Sequence, residues 1–255
     1  MKNLKLAAVC LSCLTMTGCS ALNFSVEGLI NAPKLTSEQS EIHQALIESV
    51  GSNITLKYPK NGEYRSAYVI ANIDDEPTDE AMVFYEYTSN GSEEDGLRVN
   101  ILDKDEDGKW YSVKELAGAG TDIDQVIISP MGSNNQTDVF VGYQNLTNDE
   151  KTMEIYSYTD GDFKRVALDT YSVLEPLDIN NDGYIELITI QRSTNNDTGA
   201  VTAKASMLNM KNNEITRGEN VDMCDNVTSY VSSKTGMLDS GRRAIFIDGL
   251  TADGK

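Results

Sequence analysis

From Ile54 to the C-terminus the apolar residues come in short runs, among them Ala67–Ala71, Ala81–Tyr85, Leu97–Ile101, Val139–Tyr143 and Glu186–Ile190. Val, Ile, Tyr and Phe dominate them, and Gly, Asn and Asp separate them, which is the pattern of many short strands. Before this region one segment has helical spacing. Thr36 and Gln39 form a capping-box pair, Ile42, Leu46, Ile47 and Val50 follow on one stripe, and Gly51 is a stop, so a helix is predicted over 36–51. His43 falls beside Ile42 at the edge of that stripe, and no catalytic partner for it is suggested.

The strand-rich region repeats. Residues 72–80 lead into Ala81–Tyr85, residues 130–138 into Val139–Tyr143, and residues 178–186 into the strand ending at Ile190. Each is followed by a hairpin with a polar turn: Arg98–Val113 around Asp107-Gly108, Met153–Val166 around Asp160-Gly161, and Ala203–Thr216 around Asn212-Asn213. A fourth copy is predicted from near Met237 into Ala244–Ile247. The equivalent positions Glu80, Asp138, Glu186 and Arg243 lie 58, 48 and 57 residues apart. A period near fifty in an all-β chain predicts a β-propeller of four-stranded blades, here preceded by one short α-helix, over a β-sandwich or β-solenoid. The fourth copy stops at residues 250–255, so the domain over 52–255 is read as an incomplete propeller, truncated at its C-terminus. The other option is that a strand near Ile54–Tyr58 completes the last blade.

The N-terminus is an address. Lys2 and Lys5 precede an apolar stretch from Leu6 to Met16, too short to span a bilayer, and Leu14–Cys19 resembles a bacterial lipobox. Residues 1–18 are then a lipoprotein signal peptide, Cys19 carries the lipid, and 19–35 are a tether. Cys10 and Cys13 leave with the signal, so Cys224 remains without an intrachain partner. The expected location is extracytoplasmic, anchored to the membrane by lipid. Composition narrows the field further. A formal net charge of -19, from 21 Lys and Arg against 40 Asp and Glu, argues against nucleic acid as a partner. A single histidine argues against His-rich zinc sites and most Ser-His or Cys-His catalysis.

The loop at 178–186 has the sharpest chemistry. Asp178, Asn180, Asp182 and Glu186 alternate around Gly183, an arrangement of hard oxygen donors that suits Ca²⁺. The twelfth position is Thr189 rather than an EF-hand glutamate, and Asn-Asp-Gly is also a good turn that binds nothing. This strand-flanked Asp-x-Asn-x-Asp-Gly-x-x-Glu loop, recurring at blade spacing, resembles the FG-GAP/VCBS-type repeats of integrin-α-like β-propellers, although their Phe-Gly and Gly-Ala-Pro signatures are absent. The resemblance implies a structural Ca²⁺ held by Asp178, Asn180, Asp182, Glu186 and the carbonyl of Tyr184. In the first copy it implies a less complete set, Asn72, Asp74, Glu76 and Glu80, with Pro77 in the place of the glycine. Only Asn134 and Asp138 survive in the second copy and Asp239 in the fourth, so these are expected to be metal-free. Asp103, Asp105 and Asp107 read as an exposed hairpin tip. Trp110, Tyr111, Tyr156 and Tyr158 are expected to pack between blades.

These readings predict a non-enzymatic recognition or scaffolding module with a protein or glycan partner. The competing expectation is a surface-anchored, glycosidase-like hydrolase that uses acidic residues near the propeller axis. A transporter's solute-binding lipoprotein is disfavoured, since the alternating helices of that class are missing.

Overall fold

The computed structural model describes residues 35–88, 96–131, 136–145, 150–194, 197, 201–211, 214–223 and 227–251. The signal sequence, Cys19, nearly all of the tether, Asn134, Asn212-Asn213 and Cys224 lie outside them. The chain divides into two compact units, Met1–Ser40 and Glu41–Lys255. Helix α1 covers Ser37–Val50, and its start is a capping box made in both directions. The Thr36 N–H donates to Gln39 Oε1 and the Gln39 N–H to Thr36 Oγ1, each at 3.1 Å. Gly51, at φ 85°, ends it.

The rest is β-structure, in antiparallel sheets that follow one another along the chain. Sheet 1 holds β1 (Ile54–Leu56), β2 (Tyr68–Ala71), β3 (Glu80–Tyr87), β4 (Leu97–Lys104) and β5 (Trp110–Ala117). Sheet 2 holds β6 (Asp122–Ser129), β7 (Asp138–Gln144), β8 (Lys151–Thr159) and β9 (Asp162–Tyr171). Sheet 3 holds β10 (Val173–Leu177), β11 (Glu186–Thr194), β12 (Val201–Lys211) and β13 (Glu214–Arg217), with β14 (Val221–Asp222) also paired to β12. Three times, therefore, four strands pair in chain order, with a polar loop between the first and second and an acid at the start of the second. The β8–β9 turn shows the local cause: Asp160 and Gly161 both have positive φ, at 54° and 77°, as a two-residue type I′ hairpin requires.

One alternative is excluded and one boundary is moved. β1 pairs with β3 beside β2 (Ile54↔Tyr87, Leu56↔Tyr85), so this strand belongs to the first sheet and not to the last. The fourth copy starts earlier than Met237 and is, among the described residues, a two-stranded ribbon of β15 (Val227–Met237) and β16 (Arg243–Thr251).

Period-two alternation explains the packing. From β3, Met82 and Phe84 meet Val139, Val141, Tyr143 and Tyr156 of sheet 2. Their neighbours Ala81, Val83 and Tyr85 point the other way and bury Ile42, Ala45 and Leu46 of α1. On β7, Phe140 faces backwards into a third core with Met153, Ile155, Tyr171, Leu174, Leu187 and Leu208. Sheet 2 thus buries both faces, and α1 covers the free face of sheet 1. Each fully buried Leu, Ile, Val or Phe contributes about 1.5–3 kcal/mol. Sheets 1 and 2 are also tied by Lys114 Nζ and Asp162 Oδ1 at 2.5 Å, and sheets 2 and 3 by the Arg217–Asp169 ion pair.

The aromatics divide. Tyr156 packs between sheets 1 and 2 as expected, and Tyr158 lies at the rim of that core with its ring 5.1 Å from that of Phe163. Trp110 instead packs with α1, because it shares the face of Ala81 and Val83, and Tyr111, on the opposite face, is 46% exposed.

Candidate functional site: the acidic loops

The loops between the first and second strands of the three sheets are closed in one way. The last residue of the first strand pairs with the first residue of the second in each sheet: Ala71↔Glu80, Ser129↔Asp138 and Leu177↔Glu186. That second-strand acid folds back over the loop and accepts the backbone N–H seven residues earlier. Glu80 Oε2 accepts from Ile73 at 2.8 Å, Asp138 Oδ2 from Met131 at 3.0 Å, and Glu186 Oε2 from Ile179 at 2.9 Å. All three acids are buried, at 1%, 0% and 7% exposure. A buried carboxylate costs several kcal/mol unless it is hydrogen-bonded, so the recurring bond is what allows an acid at this position.

The loops differ at the second carboxylate oxygen. Asp138 Oδ1 accepts the Ser157 hydroxyl. Glu186 Oε1 accepts the Asn180 side-chain amide at 3.0 Å. Glu80 Oε1 is buried and has no hydrogen-bond partner. Burial, followed by the charges of Asp74 and Asp103, pushes the Glu80 carboxyl up to about 7.

The third loop brings together the side chains picked out by sequence. Asp178 caps two backbone N–H groups, Asp182 at 3.1 Å through Oδ1 and Gly183 at 3.0 Å through Oδ2. Asn180 Oδ1 also accepts from the Asp182 N–H at 2.8 Å, and Asp182 Oδ1 from the Tyr184 N–H at 2.9 Å. Asn181 and Gly183, with φ of 62° and 89°, make the bend. At its centre, Asn180 Nδ2 donates to Asp182 Oδ2 and Glu186 Oε1, both at 3.0 Å. Two carboxylates therefore converge on one inward-turned amide. Among the described residues no three His, Cys, Asp or Glu side chains are gathered closely enough to hold a metal ion. The donor set nevertheless fits Ca²⁺: every side-chain donor is a hard oxygen, and the point where Asp182 and Glu186 converge is already held by a positive dipole. Turning the amide over would present Oδ1 at that point.

The first loop is arranged differently. Asn72 Nδ2 donates to the carbonyls of Glu76 and Thr78, at 2.5 and 3.0 Å, and Asp74 Oδ1 accepts the Glu76 N–H at 2.7 Å. Asn72 thus braces the loop from within, while the Glu76 residue is exposed. Asp105 and Asp107 lie in an exposed turn, as expected, with Asp105 Oδ1 accepting the N–H groups of Asp107 and Lys109 at 3.0 and 2.8 Å, whereas Asp103, read as part of that tip, lies in β4 and is half-buried because the strand runs on to Lys104.

Other features escaped the sequence reading. Arg243 stands where the first three copies have the loop-closing acid, and its Nη1 donates to the Asp178 carbonyl of the third loop. Its charge, opposite to the other three, was the signal. His43 Nδ1 and Tyr68 Oη share a hydrogen bond of 2.8 Å, which secures α1 to β2. Comparison of the chain with models of known protein families, with curated proteins and with solved structures found no match.

Proposed function

We propose that this chain is a lipid-anchored, extracytoplasmic array of propeller-type blades that serves as a non-enzymatic recognition or scaffolding module, with a structural Ca²⁺ in the third acidic loop. The observation that carries the reading is the threefold recurrence of one unit: four antiparallel strands in chain order, closed by an acid bonded seven residues back. Such units bury their faces only against neighbours, and serial stacking leaves their loops free for recognition. The lipobox-like Leu14–Cys19 supports the anchor. In the array α1 caps the first blade, and the β15–β16 ribbon begins the fourth.

Asp178, Asn180, Asp182 and Glu186 would hold the ion. Bound Ca²⁺ supplies fixed positive charge that offsets the loop's carboxylates and adds its binding free energy to folding. Calorimetric titration of the soluble domain with CaCl₂, beside an Asp182→Asn variant, tests the ion: the variant is expected to lose one binding equivalent. Equal binding by both proteins would sink it. Anchoring is tested by fractionating cells that express the full chain or Cys19→Ser, with the variant expected to leave the membrane fraction. Recognition is tested on protein and glycan arrays with and without Ca²⁺, where a screen without partners would count against the module.

A further inference from the structure

The fourth copy departs from the other three at its turn. The loops between the first and second strands of sheets 1, 2 and 3 each have eight residues, at 72–79, 130–137 and 178–185, whereas five, 238–242, join β15 to β16. This shorter turn closes on its own backbone. The Leu238 N–H donates to the Arg242 carbonyl and the Gly241 N–H to the Leu238 carbonyl, both at 2.8 Å. Seven residues before Arg243 stands Gly236, which lies within β15 and pairs with Ala244, so there is no loop N–H for an acid at 243 to close. Arg243 reaches the neighbouring sheet instead, where its Nη1 donates to the Asp178 carbonyl. That acceptor is neutral, and among the described residues no carboxylate pairs with the guanidinium, in a chain with 40 Asp and Glu. A cavity of about 360 Å³ opens beside it, lined by Leu177 at the end of β10 and by Thr235, Gly236, Met237 and Arg243 of the ribbon. The register Thr235↔Ile245 and Met237↔Arg243, with strand alternation, sets Thr235, Met237 and Arg243 on one face.

We propose that this cavity binds a small organic carboxylate, whose apolar body lies against Leu177 and Met237 and whose oxygens accept from the Arg243 guanidinium. Sites for small molecules have mostly apolar walls and a few polar groups that fix orientation, and their volumes begin at about 300 Å³. Arginine carries five N–H donors in a planar fork, so the bond to the Asp178 carbonyl leaves enough of them for a two-pronged contact with a carboxylate. The charges also match one to one. A phosphate dianion would meet the same single cation beside the acidic loop that starts at Asp178, and the second negative charge would be opposed by that loop. The thioether of Met237 suits an aromatic or aliphatic body equally, because it is unbranched and polarisable.

The experiment titrates sodium benzoate, benzamide and sodium phosphate into the full chain labelled with ¹³C at its methionine methyl groups. Binding is read from the Met237 methyl resonance, which Met237→Leu identifies. The same titrations are made on Arg243→Gln, Thr235→Phe and Lys234→Gln, with circular dichroism to show that each is folded. Benzoate is expected to shift the resonance saturably with a Kd on the order of 1 mM, and benzamide, of the same shape without the charge, to bind about tenfold more weakly. Arg243→Gln should weaken benzoate by about tenfold as well. Thr235→Phe fills the cavity and leaves Arg243 in place, and should also lose binding. Lys234→Gln removes a charge from the opposite face of the ribbon and should keep it. No saturable shift, equal binding of benzamide, or unchanged benzoate affinity in Arg243→Gln or Thr235→Phe would overturn the proposal. So would an equal loss in Lys234→Gln, which would reduce the effect to general attraction, and phosphate binding as tight as that of benzoate, which would make the site one for any oxyanion. The outcome is independent of Ca²⁺ in the third loop, since neither Arg243 nor Thr235 belongs to that donor set.

Discussion

The first and third acidic loops have the same length, the same flanking strands and the same hydrogen bond from the loop-closing acid, yet they treat its second oxygen in opposite ways. In the third loop Asn180 reaches it with an amide, and the two acids nearest that amide are held by a neutral group. In the first loop Asn72 is spent on loop carbonyls, Asp103 stands across the strand pair, and Glu80 Oε1 is left alone. The difference shows that the frame and the charge balance are separate matters. One bond to a backbone N–H secures the loop's shape, whereas the group that reaches the second oxygen, Asn180 from within the third loop and none in the first, decides whether the buried acid is satisfied.

The largest effect is expected where that acid has both partners. Asp138→Ala leaves the Met131 N–H and the Ser157 hydroxyl without an acceptor inside the protein, a loss of about 3 kcal/mol in urea denaturation. Asp138→Asn keeps an acceptor for the first and a donor for the second and should lose less than half of that. An equal loss for the two variants would mean that charge, not hydrogen bonding, dominates at this position.

Next comes the pH dependence of the first loop in chelator-treated protein. The Glu80 carboxyl is raised from 4.5 to about 7 in the fold, chiefly by burial. Its protonated form is therefore favoured in the native state. Stability from this group is complete below about pH 4.5 and is lost as pH rises through 7, a change on the order of 3 kcal/mol. Glu80→Gln should remove that slope, so the difference between wild type and variant across pH 4.5–7.5 is the measurement. A flat difference would show that Glu80 ionises in the fold without cost.

A smaller effect is expected from Asn180→Ala, which takes the bridging amide away from Asp182 and Glu186. In chelator the cost should be about 1–2 kcal/mol, read as a shift of the urea midpoint. The smallest changes test the comparison most directly. Asp103→Asn should stabilise ion-free protein by about 0.5–1 kcal/mol, and Asn209→Asp, which sets an acid opposite Glu186, should cost a similar amount. If the two variants shift stability in the same direction, cross-strand charge does not distinguish the loops.

The two ends of the sheet series make a similar point about packing. Sheet 1 is sealed by α1, whose Ile42 and Leu46 are fully buried against it. At the other end β16 leaves Phe246 and Leu250 exposed at 41% and 46%. The capping box and the stripe of α1 were readable because both depend on residues within a few positions of one another. That the helix covers the outer face of sheet 1 was not, because the partner face comes from β2, β3, β4 and β5 together.

Strand alternation, turn residues and the fifty-residue period were local facts, and so the sequence by itself determined the order of strands, the hairpin turns and the equivalence of Glu80, Asp138 and Glu186. Only the tertiary structure decided what each acid faces. The cross-strand partners Asp103, Ser157 and Asn209 depend on register, and a β-bulge or a loop of different length changes register without changing the hydrophobic pattern. Buried Asp124 is the extreme case: it accepts from Asn61, Lys151 and Tyr171, each at 2.6–2.8 Å and each from a different element. Local pattern follows from the geometry of a single strand or helix, but the fate of a buried charge depends on groups that meet only after distant segments have packed.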